Sequence, residues 1–190
     1  MINELEKYLC LQGGFSENDL HRVSSLAVEK KLSRNEFLLR DGEVCRHKIF
    51  IVKGLLRTFG MTQDGNEHIL KFSPENTWTL EKESYDQQTP ARVNISAVEP
   101  SEVLLWTKPD FERLIEELPP LKWYTEKLTA QNIYSGSQRL LTTLSATPEE
   151  KYENFIQTYP QLLLRLPLKM IAAYLGISLR TLDRIRHAQL

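Results

Sequence analysis

A group of side chains near the C-terminus has the types and spacing needed to read nucleic acid. Arg180, Thr181, Arg184 and His187 recur on one outward side of a short helical stretch, with Arg186 nearby and Lys169 just ahead of them. A guanidinium can grip a guanine edge through two parallel hydrogen bonds or hold a phosphate oxygen. The charge distribution agrees. From Gln161 onward there are five Lys/Arg against one Asp, a net of +4, whereas the whole chain is −1, so the preceding residues carry −5. An acidic body with a basic head suits a DNA reader.

Those side chains need a rigid frame, and the surrounding residues supply one. Between Leu168 and Leu190, Ile171, Ala172 and Leu175 form an inward helical face, and Gly176 follows where a helix C-terminus favours a left-handed residue. Ile177 can plug the corner, Ser178 stands at the N-cap of a second helix, and Leu182 and Ile185 continue the buried face. Ala172 is small where two helices cross closely. The expectation is a helix-turn-helix.

The bulk properties narrow the alternatives. At 190 residues, 41% hydrophobic and 26% charged, the chain can bury a substantial core. No run of about 18 apolar residues is present to span a membrane. The N-terminal MINELEKYLC is charged and amphipathic, unlike a secretory signal, so a cytoplasmic location is expected. Cys10 and Cys45 are isolated, and His21, His47, His68 and His187 are scattered without a close pair. No metal-ligand spacing, Gly-rich phosphate loop or nucleophile elbow occurs, which argues against an enzyme.

Taken in order, residues 2–11 suggest a short helix. The segment Ser16–Asp19 resembles a capping box that starts a second helix, running to about Val28. From Asp41-Gly42 to about Leu105 the pattern becomes that of strands: His47–Val52, Leu55–Met61, Glu67–Phe72 after the Asp64-Gly65 turn, Arg92–Val98 and Glu102–Trp106. Short strands without helical crossovers imply a sandwich or jelly-roll barrel.

Helical spacing returns after Pro109 and stops at Pro119-Pro120. A helix of about 24 residues follows, from Leu121 to Leu144. One stripe is Leu121, Tyr124 and Leu128, and an offset one is Ile133, Leu140 and Leu144, with Ser135-Gly136-Ser137 permitting close approach between them. A symmetric partner helix is the simplest occupant, with Leu121, Tyr124, Leu128 and Ser135 as its contact residues. Thr147, Pro148 and Glu150 mark a further helix start, with Tyr152, Phe155 and Ile156 inward, ending at Tyr159-Pro160.

This order, and above all Ile171–Ser178 followed by Thr181–Ile185, resembles the cyclic-AMP receptor protein / fumarate–nitrate regulator (CRP/FNR) superfamily of bacterial transcription factors. The resemblance covers essentially the whole chain and implies an α+β protein in three parts. These are a cyclic-nucleotide-binding-like β jelly-roll over residues 1–108, connecting and dimerisation helices over 109–146, and a helix-turn-helix domain over 147–190. It implies a homodimer on a two-fold-related DNA site, with RNA polymerase and a small-molecule effector as further partners and no membrane.

By the same resemblance Ser178 and Thr181 fall on phosphate-contacting positions and Arg184 on the main base-reading arginine. Leu179 and Arg180 depart from the Arg and Glu usual in nucleotide-responsive members, and the chain ends about where the β-wing would begin, so wing contacts are not expected. In the ligand cassette Glu81 falls on the glutamate that accepts from a ribose hydroxyl, but Leu80 precedes it in place of Gly. Ala91 takes the phosphate-pairing arginine's position, and Arg92 lies one residue on, which in a strand turns it to the other face. A buried phosphate without a cation is costly, so cyclic-nucleotide binding is disfavoured; Glu81 and Arg92 are the residues to test for it.

No cofactor is expected. Two isolated cysteines cannot supply an iron–sulfur cluster. A haem would need His21, His47 or His68, while Trp78, Trp106 and Tyr85 could line an apolar pocket. The rival class is a small-molecule-sensing module that acts through protein contacts rather than DNA.

Overall fold

The computed structural model of the chain describes residues 1–188; Gln189 and Leu190, at the end of the expected helix-turn-helix stretch, lie outside the described residues. The chain forms two compact units, Met1–Gly60 with Leu70–Leu128, and Met61–Ile69 with Thr129–Leu190. The boundary between Leu128 and Thr129 falls within a long helix.

The first unit opens with α1 (Ile2–Gln12) and α2 (Glu17–Ser25). The expected capping box is present: the Ser16 hydroxyl accepts from Asp19 N–H, and the Asp19 carboxylate accepts from Ser16 N–H at 2.8 Å. The strands are β1 (Val28–Leu32), β2 (Phe37–Leu39), β3 (His47–Lys53), β4 (Leu56–Met61), β5 (Glu67–Ser73), β6 (Thr77–Thr79), β7 (Asn94–Ala97) and β8 (Ser101–Thr107). They form two four-stranded sheets, ordered β1-β8-β3-β6 and β2-β7-β4-β5. The pairings described are antiparallel, with Phe50 opposite Leu104 and Leu56 opposite Ala97. This is the jelly-roll barrel.

The central strands read as near-continuous apolar runs because both of their faces are covered. On β3 and β8, Ile49, Ile51, Val103 and Leu105 join the barrel interior with Leu39, Leu56 and Ile95. Phe50, Leu104 and Trp106 face the other way, into a second core with Leu5 and Leu9 of α1 and with Phe111 and Leu114 of α4 (Lys108–Glu117). Trp78 lies in that second core, 5.2 Å from the Trp106 ring and 5.0 Å from Phe50. Gly54, at φ 96°, turns β3 into β4 against β8; a Cβ there would collide with the Ser101 side chain and lie 2.7 Å from its Cα. A six-residue helix, α3 (Lys82–Gln87), interrupts the strands where the sequence pattern suggested none.

The helix α5 runs from Pro119 to Ser145, 27 residues, beginning at the two prolines rather than after them. In the second unit, α6 (Pro148–Thr158) starts with the expected box between Thr147 and Glu150. A 3-10 turn at Pro160–Leu162 leads to α7 (Leu168–Leu175) and α8 (Leu179–Ala188). Tyr152, Phe155, Leu162, Leu166, Ile171, Leu175, Leu182 and Ile185 are buried and make the hydrophobic centre of this small three-helix head.

Candidate nucleic-acid interface

The α7–α8 corner is built by local chemistry. Gly176 adopts φ 67° and ψ 34°, and the Ile177 N–H donates back to the Ala172 carbonyl at 3.1 Å, closing α7 with a left-handed cap. The Ser178 hydroxyl accepts from Thr181 N–H at 3.0 Å, and its Oγ lies 2.8 Å from Thr181 Oγ1, so the second helix starts on a side-chain cap. Ala172, only 3% exposed, sits where the helices meet.

Burial of Leu182 and Ile185 turns the rest of α8 outward. Lys169, Ser178, Arg180, Arg184 and His187 are exposed, Leu179 is largely so, and Thr181 is half-buried. Arg180, Arg184 and His187, at helical spacing, therefore lie on the exposed side of α8 opposite Leu182 and Ile185. One neighbour was not legible in the sequence: Glu149, in the first turn of α6, pairs with Arg184 at 3.1 Å. The main candidate reading arginine is thus held by a carboxylate.

The long helix corrects one expectation. Leu121 and Tyr124 are not free to meet a second copy: both are buried in the first unit's helix-side core, and Leu128 packs partly against it. The Tyr124 hydroxyl lies 2.7 Å from that of Tyr8 and accepts from Trp78 Nε1 at 3.1 Å; burial raises its pKa, and the Tyr8 hydrogen bond adds to the shift. The stripe was correctly apolar, but apolar periodicity marks a covered face without naming what covers it. The offset stripe is the exposed one. Ile133, Tyr134, Leu140, Leu141 and Leu144 are each at least 60% exposed, with Ser135 exposed beside them. Arg139 is the only charged residue between Lys127 and Glu149, an unusual composition for a helix face left in water.

In the barrel, Glu81 caps α3: its carboxylate accepts from Ser84 N–H at 2.7 Å and Glu83 N–H at 3.3 Å, so the expected ribose acceptor already has partners. Ala91 is buried in the barrel interior and Arg92 is exposed, but both precede β7, which starts at Asn94 rather than Arg92, so the strand alternation expected there does not apply. Tyr85 contributes to the apolar filling of that interior, and burial raises the pKa of its phenol. A cleft of about 400 Å³ opens between β2 and β3, with Leu38, Leu39, Ile49 and Leu105 as its apolar wall and Arg46 and His47 at its polar edge. Burial lowers the His47 pKa, assisted by Arg46, which favours the neutral imidazole. His21 and His68 are exposed. Among the described residues no three His, Cys, Asp or Glu gather closely enough to hold a metal ion, and no helix is long and apolar enough to cross a membrane.

Residues 29–118 match the family described as the cyclic nucleotide-binding domain. Over 93% of its length the chain is 23% identical to the transcriptional activator protein Anr of Pseudomonas aeruginosa, covering 77% of that protein. FixK2 from Bradyrhizobium japonicum is 19% identical, with a TM-score of 0.75, the match covering 86% of this chain and 85% of that one. A structure described as that of a Crp/Fnr-family transcriptional regulator, from Eubacterium rectale, gives a TM-score of 0.73 at 15% identity, covering 96% of this chain and 88% of the other. These structural likenesses establish the fold.

Proposed function

We propose that the chain is a member of the CRP/FNR superfamily and a sequence-specific DNA-binding transcription regulator that reads a two-fold-related operator as a homodimer. The observation that carries the reading is the α7–α8 corner, in which a rigid, capped turn presents Arg180, Arg184 and His187 together on the solvent side of a helix whose other side is buried. Such a helix fits a major groove, where arginine distinguishes guanine by its O6 and N7. Lys169, Ser178 and Thr181 flank it as phosphate contacts, and Leu179 adds an apolar contact at the helix start.

The exposed apolar stripe of α5 supports the dimer. Two copies meeting along Ile133, Leu140 and Leu144 would bury those side chains, at about 1.5–3 kcal/mol for each residue removed from water. The barrel is the sensing part: its cleft beside Arg46 and His47 offers an effector site, while in the ligand cassette Ala91 takes the place of the arginine that pairs with a cyclic phosphate. RNA polymerase is the partner through which a cytoplasmic regulator of this kind acts.

The test is fluorescence anisotropy with a specific and a scrambled duplex. Arg184→Ala should lose about 1–3 kcal/mol on the specific site and relax one base position per half-site. An equal loss on both duplexes would make Arg184 a phosphate contact, and no loss on either would remove the reading.

A further inference from the structure

We infer that Arg139 is a positioning residue for DNA recognition, tying the helix-turn-helix to the helix through which two copies meet and so fixing the spacing between the half-sites they read. The inference rests on the DNA reading proposed above. Its ground is a three-way junction within the second unit. From α5, Arg139 Nη2 donates to the Ile69 carbonyl on β5 at 2.8 Å and to the Tyr174 carbonyl on α7 at 3.0 Å. Its guanidinium carbon lies 3.8 Å from the centre of the Tyr174 ring. That ring packs in turn on Phe155 at 5.4 Å and, perpendicular, on Tyr159 at 6.0 Å.

Each contact has a physical reason to hold. β5 is the last strand of its sheet, so its outer edge offers carbonyls without a strand partner, and Ile69 presents one. Tyr174 is the penultimate residue of α7, where carbonyls lack partners within the helix and a cation is favoured by the helix dipole. The guanidinium is the one side chain that can serve both acceptors and lie flat on an aromatic ring. Burial pulls its pKa down, and among the described residues no carboxylate pairs with it. A desolvated cation of this kind is costly unless its hydrogen bonds are made, so the junction has one well-satisfied geometry.

That geometry has a consequence for DNA. The exposed apolar stripe of α5, where the copies are proposed to meet, runs past Arg139 from Ile133 to Leu144. On the other side of the junction, α8 follows α7 through the Gly176 corner. Holding α7 to α5 therefore sets the distance between the two reading helices. Half-sites of such dimers lie about 34–36 Å apart, and one base pair is about 3.4 Å. A head that drifts by that distance accepts a spacer one base pair longer or shorter.

The experiment combines two measurements on wild type, Arg139→Met and Arg139→Lys, each checked for folding by circular dichroism. In selection from random double-stranded DNA, half-site sequence and spacer length are scored separately. The Met variant should keep the half-site sequence while its spacer spreads from one dominant length to two or more neighbouring ones. The Lys variant, with charge but no fork, should spread likewise, and it serves if the Met variant does not fold. In hydrogen exchange on the DNA-free protein, residues 62–69 and 168–175 should lose protection together, by about tenfold or more. A folded variant with the wild-type spacer, or exchange that changes in neither segment or in only one, would overturn the inference. If wild type selects no DNA, the DNA reading has failed on its own account, and so has the role of Arg139 in spacing; the exchange result then reports only whether Arg139 joins the segments.

Discussion

Removing the carboxylate of Glu149 should strengthen DNA binding. In the free protein Arg184 is paired with it at 3.1 Å, and an arginine that reads a base must first leave that partner. The side chains are 70% and 51% exposed, which places the pair among surface ion pairs worth about 0.2–1 kcal/mol. A dimer carries two such pairs, so releasing both contributes about 0.4–2 kcal/mol, a gain of roughly 2- to 30-fold in affinity. Loss of a negative charge close to the phosphate backbone acts in the same direction. Stability should move the other way, because Glu149 sits in the first turn of α6, where an acid is favoured by about 0.3–1 kcal/mol. Glu150, not Glu149, closes the capping box, so the helix start survives.

The assay is anisotropy titration of Glu149→Gln against wild type at about 0.05 and 0.2 M salt, with thermal melts in parallel. The gain should shrink at the higher salt, where exposed pairs are screened. In an Arg184→Ala background the pair is already gone, and most of the gain should vanish. Unchanged or weaker binding by Glu149→Gln would refute the reasoning, as would an equal gain with and without Arg184.

Four further substitutions test the correction to α5 and a buried lysine on β3. Leu141→Glu and Leu144→Glu lie on the exposed stripe and should yield folded monomers in sedimentation; Leu128→Glu should instead lower the melting temperature, because Leu128 packs against the chain's own core. Lys48 lies 5.7 and 5.6 Å from the centres of the Trp78 and Phe111 rings, and its pKa is lowered from 10.5 to about 8, first by burial and then by Lys71 and Lys82, with Asp86 and Cys45 opposing. Between those values the unfolded chain holds a proton the folded one has released, so the Lys48 contribution makes stability rise from about pH 8 to 10.5. Lys48→Met should therefore stabilise the protein near pH 7, on the order of 1–3 kcal/mol after the lost ring contacts are counted, and should flatten that rise in melts across the window. A destabilised variant would contradict it.

The parts legible in the sequence are those specified by neighbours along the chain. Gly176 and Ser178 punctuate the corner, and Thr147, Pro148 and Glu150 start α6, each acting within about one helical turn. The strands at the centre of the sheets were visible because both faces are apolar. β1 was not, since it is an edge strand carrying Glu29, Lys30 and Lys31, and edges are kept polar against unwanted pairing. β6 and α3, at three and six residues, are too short for a period to show. What the sequence hid was partnership across distance. It displayed two apolar stripes on α5 without indicating that the first packs on its own barrel, and nothing local pairs Glu149 with Arg184. Arg139 left a trace, as the single charge in an otherwise neutral stretch, but its acceptors lie 70 and 35 residues away.

The most direct test of the central claim is selection of wild-type protein on random double-stranded DNA at about 0.1 M salt, without added ligand, followed by sequencing. An enriched inverted repeat with half-sites about one helical turn apart is the expected result. Absence of any enriched sequence, persisting when the selection is repeated with cyclic AMP and with a cell extract, would contradict it and leave a sensing module that acts through protein contacts.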